Sequence, residues 1–194
     1  RESKNDTQEV NSNKIFKPKD AVLTIGRLTR QKNHIFLVNS ISEIFKKYKD
    51  LKLYIIGDGE LKKEIENTIK KLNLSDRIFL LGYKKNVFQY LKNCKCFVLS
   101  SLWEDPGYVL IEAAMSNTSI ISSNCPNGPE EILDSGSSGF LFKSDSKQDL
   151  IKKFDEFMNS NTEELQKKKI NAKKRIKIYT NFTHYKYLKN YLNI

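Results

Sequence analysis

The feature that most constrains this chain is an alternation. Short apolar runs, most of them closed by a glycine or a charged residue, take turns with longer amphipathic runs. The short runs at 21–26, 51–56, 77–81, 96–100, 119–123 and 139–142 read as strands. The longer ones predict helices over 33–49, 60–72, 86–93 and 107–117, another opening at 127–130, and one from 145 or 146 to 159. Asn33 suits the cap of the first long helix, with Ile35, Val38, Ile41, Phe45 and Tyr48 on one face. Thr162-Glu163-Glu164 starts a further helix, and 181–192 reads as a final aromatic one. Strands separated by helices cannot pair as hairpins. They form parallel crossovers, so the expected fold is α/β, a Rossmann-like doubly wound parallel sheet.

In such a sheet, ligands bind outside the carboxyl ends of the strands. The unusual residues of this chain fall there. They are Gly26-Arg27 after the first strand, Gly57-Asp58-Gly59 after the second, Gly82 after the third, Glu104 after the fourth and 124–131 after the fifth. Together they predict a cleft along one sheet edge, lined by helix N-termini that favour an anion.

Residues 97–117 concentrate the signal. An apolar strand runs into a Pro-Gly turn and then a helix that is apolar almost all round. Glu104 sits on the turn and Glu112 lies between Ile111 and Ala113. A carboxylate in apolar surroundings costs several kcal/mol unless something pairs with it, which makes Glu112 a functional candidate. Reaching a surface, or capping a backbone group, would also explain it.

Composition narrows the class. The chain has 194 residues, enough for one α/β domain with a small appendage. It is 39% hydrophobic, and no run approaches the ~18 apolar residues of a membrane span. Net charge is +11, nearly all the excess being lysine. That suits an anionic ligand, an anionic membrane surface or nucleic acid. It also fits lysines on solvated helix faces, as in the runs at 167–169 and 173–175. Aromatics interleaved with basic residues, as in RNA-binding motifs, are absent, so no nucleic acid partner is expected. Cys94, Cys96 and Cys125 lack zinc-ligand spacing, and a reducing compartment follows.

The candidate constellations are few. Gly26-Arg27-Leu28 followed by Lys32 places two cations where the first helix begins, a pattern that can hold a diphosphate or simply be a solvated basic loop. Gly57-Asp58-Gly59 lacks the third glycine of a dinucleotide fingerprint, since Lys62 stands there. It reads as a tight turn with close backbone approach to a ligand or a helix, with nicotinamide dinucleotide binding as an alternative. No Asp-x-Asp pair and no phosphate loop occurs. His34 and His184 are far apart, and His34 reads as a helix-start or packing residue.

Taken in order, these pieces resemble the C-terminal, donor-binding domain of the retaining glycosyltransferase family 4, which has the two-domain GT-B fold. The family's signature is two glutamates separated by seven residues, here Glu104 and Glu112. Gly26-Arg27-Leu28 with Lys32, the Gly-x-Gly turn, Leu81-Gly82-Tyr83 and the Gly-Phe-Leu-Phe at 139–142 match in order.

The resemblance implies roles. Gly26 and Gly57 bring backbone to the donor, Arg27 and Lys32 contact its diphosphate, and Glu112 accepts from the ribose hydroxyls. Glu104 faces the transferred sugar, the backbone at Gly107 and Tyr108 touches sugar or phosphate, and the backbone near Tyr83 holds the base. Glu104, Arg27 and Lys32 are the implied catalytic residues. Fixed cations stabilise the leaving group, so no metal and no cofactor are expected. The substrate implied is a UDP-activated hexose or N-acetylhexosamine, used in bacterial polysaccharide or lipid-linked glycan synthesis.

Two segments depart from the family pattern: Asp105-Pro106-Gly107 replaces Gly-Phe-Gly, and Asn127-Gly128-Pro129-Glu130-Glu131 replaces Gly-Gly-x-Pro-Glu. Residues 1–20 read as a linker or tail, 21–194 as the donor domain and 162–194 as its C-terminal helices. The N-terminal acceptor domain of the family has no room here, so this stretch alone is expected to bind donor without transferring sugar. The implied location is cytoplasmic, with the inner face of a membrane as an optional docking surface. A non-catalytic basic module binding membrane or nucleic acid is the alternative, and a sugar-nucleotide epimerase a third reading.

Overall fold

A computed structural model describes residue 16, residues 20–105, 107–179 and residue 189. Six strands form one sheet: β1 Ala21–Ile25, β2 Lys52–Ile56, β3 Ile78–Gly82, β4 Cys96–Leu99, β5 Ile120–Ser123 and β6 Phe140–Phe142. The order is β3-β2-β1-β4-β5-β6, and every pairing is parallel. The helices are α1 His34–Lys47, α2 Lys62–Lys71, α3 Phe88–Leu91, α4 Tyr108–Met115, α5 Pro129–Ile132, α6 Lys147–Asn159 and α7 Thr162–Arg175. This is the expected α/β Rossmann-like doubly wound fold.

Both faces of the sheet are covered, which is why its strands read as unbroken apolar runs. On one face Val22, Leu53, Ile55, Cys96 and Val98 pack with residues of α1, α2 and α6. On the other Leu23, Tyr54, Ile56, Phe97 and Leu99 pack with α3, α4 and α5. Phe16 belongs to this second core: its ring stands edge-on to Tyr54 and Tyr90, with centroids 4.9 and 5.2 Å away. The polar 1–20 stretch thus supplies at least one core residue. The rest of that stretch, apart from Asp20, and the aromatic helix expected over 181–192, apart from residue 189, lie outside the described residues.

Caps follow local chemistry, with one correction. Ser146 accepts from the Asp149 amide and Asn161 from the Glu164 amide, so both begin helices as N-caps should. Pro129 occupies the first turn of α5, where a missing N–H costs nothing. Asn33, expected to cap α1 with its side chain, does not. It adopts a left-handed backbone, φ 52°, after a 3₁₀ turn over Arg30–Lys32, and its amide donates to Asp145 instead.

Strand order reverses between β1 and β4, the neighbours at the centre of the sheet. Their following loops diverge to opposite sides and open a crevice at the carboxyl edge. The loop after β1 carries Gly26 to Lys32 and the loop after β4 carries Ser100 to Glu104. The two sequence signals therefore meet at the point where this topology binds ligands.

Candidate donor site

A cavity of about 370 Å³ opens at the carboxyl ends of β1, β2 and β3. Ile25, Ile56 and Val87 give it an apolar floor, and Gly26 and Gly57 contribute backbone without side chains. Arg27, Asp58, Tyr83, Lys84, Lys85 and Glu112 complete the lining. Five expected site residues, Gly26, Arg27, Gly57, Tyr83 and Glu112, are thus brought to one hollow from four different segments.

The glycine turn is where it is because two loops are packed backbone to backbone. Gly57 has φ +145°, and a Cβ there would stand 1.9 Å from the Gly26 carbonyl oxygen. A Cβ on Gly59 would stand 2.6 Å from the Leu28 carbonyl oxygen. The Gly26 amide donates to Ile56 O at 3.0 Å, Leu28 N–H to Asp58 O at 2.9 Å and Leu61 N–H to Leu28 O at 3.0 Å. The close approach expected of Gly57-Asp58-Gly59 is thus made to the Gly26–Leu28 loop. The turn fixes the shape of the cavity wall.

Glu112 reaches this cavity from the second turn of the short helix α4, half-buried. No hydrogen bond or ion pair to its carboxylate exists among the described residues, and burial pushes its pKa up. Its helix buries Val109, Leu110, Ala113 and Ala114, so Glu112 is the charged residue of an otherwise apolar helix, as the sequence suggested. Arg27 is exposed at the same cavity, so the hollow carries the carboxylates of Glu112 and Asp58 beside a guanidinium and the lysines Lys84 and Lys85.

Lys32 and Glu104 form a separate unit. Glu104 is 3% exposed, and Lys32 Nζ lies 2.6 Å from its Oε1. The hydroxyl of Ser101 donates to the same oxygen at 2.5 Å. The Lys32 stem runs under Gly26, where an added Cβ would meet it at 3.1 Å. Arg27 and Lys32 are therefore not side by side: Arg27 lines the cavity and Lys32 is turned to the carboxylate. The loops that carry the pair are tied together. Ser100 Oγ donates to Lys32 O at 2.8 Å, Leu102 N–H to Gln31 O at 2.8 Å, and Gln31 Nε2 to Trp103 O at 3.0 Å.

Gly107, with φ +84°, turns the chain into α4, its α-carbon facing the Glu104 stem. Tyr108 is the first residue of α4 and 69% exposed. Pro106, the departure from the family pattern, lies outside the described residues. The segment after β5 approaches Glu104 from the other side, with Pro126 O accepting from the Glu104 amide at 3.0 Å. It borders a second, more open hollow of about 620 Å³ together with Arg175.

Sequence reasoning missed three residues here. Lys84, only 5% exposed, lines the cavity, but Leu-Gly-Tyr-Lys-Lys reads as an ordinary basic loop. Ser100 and Ser101 are fully buried and hydrogen-bonded, and only their place just before Glu104 hinted at it. His34 is a packing residue, as expected, 2% exposed at the first position of α1. Burial lowers its pKa to about 4; the backbone of Gly26 and Arg27 pulls it part of the way back, and the Lys32 charge adds to the lowering. Neither ring nitrogen makes a full hydrogen bond.

Comparison with known proteins identifies the family and the fold. Residues 5–175 match the family described as glycosyl transferases group 1, and the chain belongs to that family. Over 129 residues it is 46% identical to the uncharacterized glycosyltransferase MJ1059 of Methanocaldococcus jannaschii, covering 66% of this chain and 32% of that protein. It is 31% identical over 173 residues to a GalNAc-adding transferase of Campylobacter jejuni that acts on a diphospho-undecaprenol glycan, covering 88% of this chain and 47% of that one. The crystal structure of S. aureus TarM with UDP superimposes with a TM-score of 0.80 at 26% identity, over 92% of this chain and 36% of TarM. The fold matches GT-B glycosyltransferase structures, and the chain spans less than half the length of these relatives.

Proposed function

We propose that this chain binds the nucleoside diphosphate part of a sugar donor, UDP-hexose or UDP-N-acetylhexosamine, for retaining transfer without a metal, as in glycosyltransferase family 4. The observation that carries this reading is the half-buried Glu112, without a partner among the described residues, in a cavity that also holds Arg27. A ribose diol supplies the two hydroxyl donors that an isolated carboxylate lacks. The apolar floor suits a base, with Tyr83 at its wall. Arg27, Lys32 and the N–H groups opening α4 would face a diphosphate, and fixed cations there stabilise the negative charge that develops as the nucleotide leaves. Glu104, held next to Lys32, would accept from a hydroxyl of the transferred sugar.

The acceptor would be held by a second domain, and the relatives point to bacterial polysaccharide or lipid-linked glycans. Such acceptors would place the complete enzyme at the inner face of a membrane. No described helix is long and apolar enough to cross one. The alternative of a basic module without chemistry leaves the cavity and the Lys32–Glu104 pair unexplained.

Calorimetric titration with UDP, GDP and ADP, each with EDTA and then with magnesium, tests the reading. UDP should bind best and equally well in both conditions. A folded sample that binds none of the three at millimolar concentration would refute it, and binding only with magnesium would refute the metal-independent part.

A further inference from the structure

Glu104 is held by one oxygen only. Lys32 Nζ and Ser101 Oγ both donate to Oε1, at 2.6 and 2.5 Å, and no described residue donates to Oε2. Ser101 is itself held. It is fully buried, and its carbonyl accepts from Ser123 Oγ at 2.7 Å and from Ser144 Oγ at 3.4 Å. Its neighbour Ser100 does the same for the other partner, donating to Lys32 O at 2.8 Å and Asn33 O at 3.3 Å. Two consecutive serines thus bind the two ends of the ion pair, one through the lysine backbone and one through the glutamate carboxylate.

We propose that Ser101 is the positioning residue of the sugar subsite: it locks Glu104 Oε1 against Lys32 and so leaves Oε2 as the oxygen that accepts from a hydroxyl of the transferred sugar. The proposal rests on the donor-site reading above and adds a residue that reading does not use. The physical reason is orientational. A salt bridge alone lets a carboxylate swing or exchange its oxygens, because an ammonium is a point charge without planar preference. A second donor on the same oxygen, fixed to the strand framework through β5, removes that freedom. A hydroxyl also satisfies Oε1 without adding charge, so Glu104 keeps its anionic acceptor for a sugar hydroxyl. Ser101 does not line the nucleotide cavity, so its loss should fall more heavily on the sugar than on UDP.

The test is a titration of this chain with UDP and, separately, with UDP-glucose, UDP-galactose, UDP-GlcNAc and UDP-GalNAc, for the wild type, Ser101→Ala and Ser101→Cys. The readout is the ratio of the affinity for the best UDP-sugar to that for UDP. Ser101→Ala should keep the UDP affinity within about twofold and cut the ratio by about five- to tenfold, the worth of one ordinary hydrogen bond. Ser101→Cys, near in size with a weak donor, should fall between. If Ser101→Ala does not fold, Ser101→Cys carries the test on its own. An unchanged ratio in the folded variants overturns the proposal and leaves the nucleotide site standing. An equal loss for UDP and UDP-sugar overturns it as well, since that is a structural effect without selectivity. A wild type that binds no nucleotide removes the underlying reading and the proposal with it.

Discussion

Glu112 is charged at a cost, because it is half-buried with no partner among the described residues and burial pushes its pKa up. An acid whose folded pKa lies above its unfolded value weakens the fold as pH rises through that window. Glu112→Gln removes the charge and its burial penalty, and turns one of the two acceptor oxygens into a donor amide. It should raise the melting temperature at neutral pH by about 2 °C, a gain typical of relieving strain at a functional site. The same variant should weaken UDP binding at least about tenfold, the loss expected when hydrogen bonds to a charged group go. Calorimetry and thermal unfolding on one sample check both. A variant that loses stability and keeps affinity would show Glu112 to be structural. Lys32 behaves oppositely. With side chains 14% and 4% exposed, Lys32 and Glu104 form a buried pair, and removing one partner strands the other charge. Lys32→Met should cost about 3 kcal/mol in urea unfolding, and Lys32→Met with Glu104→Gln should recover most of it.

The elements that carry local signals were legible. Each of the six strands is an apolar run bounded by turn chemistry, and Ser146 announces its helix by cap chemistry. Glu112 was legible too, because a charge inside an apolar helix is anomalous at any distance. What could not be read were pairings through space. Asn33 has the residue type of a cap, but Asp145, 112 residues away, takes its amide. Gly57 could be read as a close approach but not as an approach to Gly26, since the parallel register of β1 and β2 sets that contact. Ser101 carries no signal beyond its place just before Glu104 until that glutamate folds back beside it. The glycine turn yields a sharp expectation at this scale. Gly57→Ala meets both a left-handed φ and a backbone oxygen at 1.9 Å, so the β1 and β2 loops must separate. It should destabilise by more than about 3 kcal/mol or fail to fold, a size reserved for strained backbone. An Ala variant of native stability would mean that the two loops are not packed as described.

At the scale of the whole molecule, the doubly wound sheet does two things. It buries both faces, and it brings the loops after β1 and β4 together at the reversal of strand order. Its acid sensitivity should be traceable to His34. The ring is neutral and buried, with its pKa lowered to about 4 from 6.5. A depressed folded pKa means that the unfolded chain takes up the proton first, so stability is full above about pH 6.5 and falls as pH drops toward about 4. The loss over that window is on the order of 3 kcal/mol, and His34→Gln should flatten it in urea unfolding followed against pH. The central claim is where the nucleotide sits. A two-dimensional amide NMR titration of the labelled chain with UDP tests it most directly. The account predicts that the largest saturable shifts fall on Gly26, Arg27, Gly57, Tyr83 and Glu112. Shifts confined to the hollow beside Arg175 and residues 124–131, or none at millimolar UDP, would contradict it.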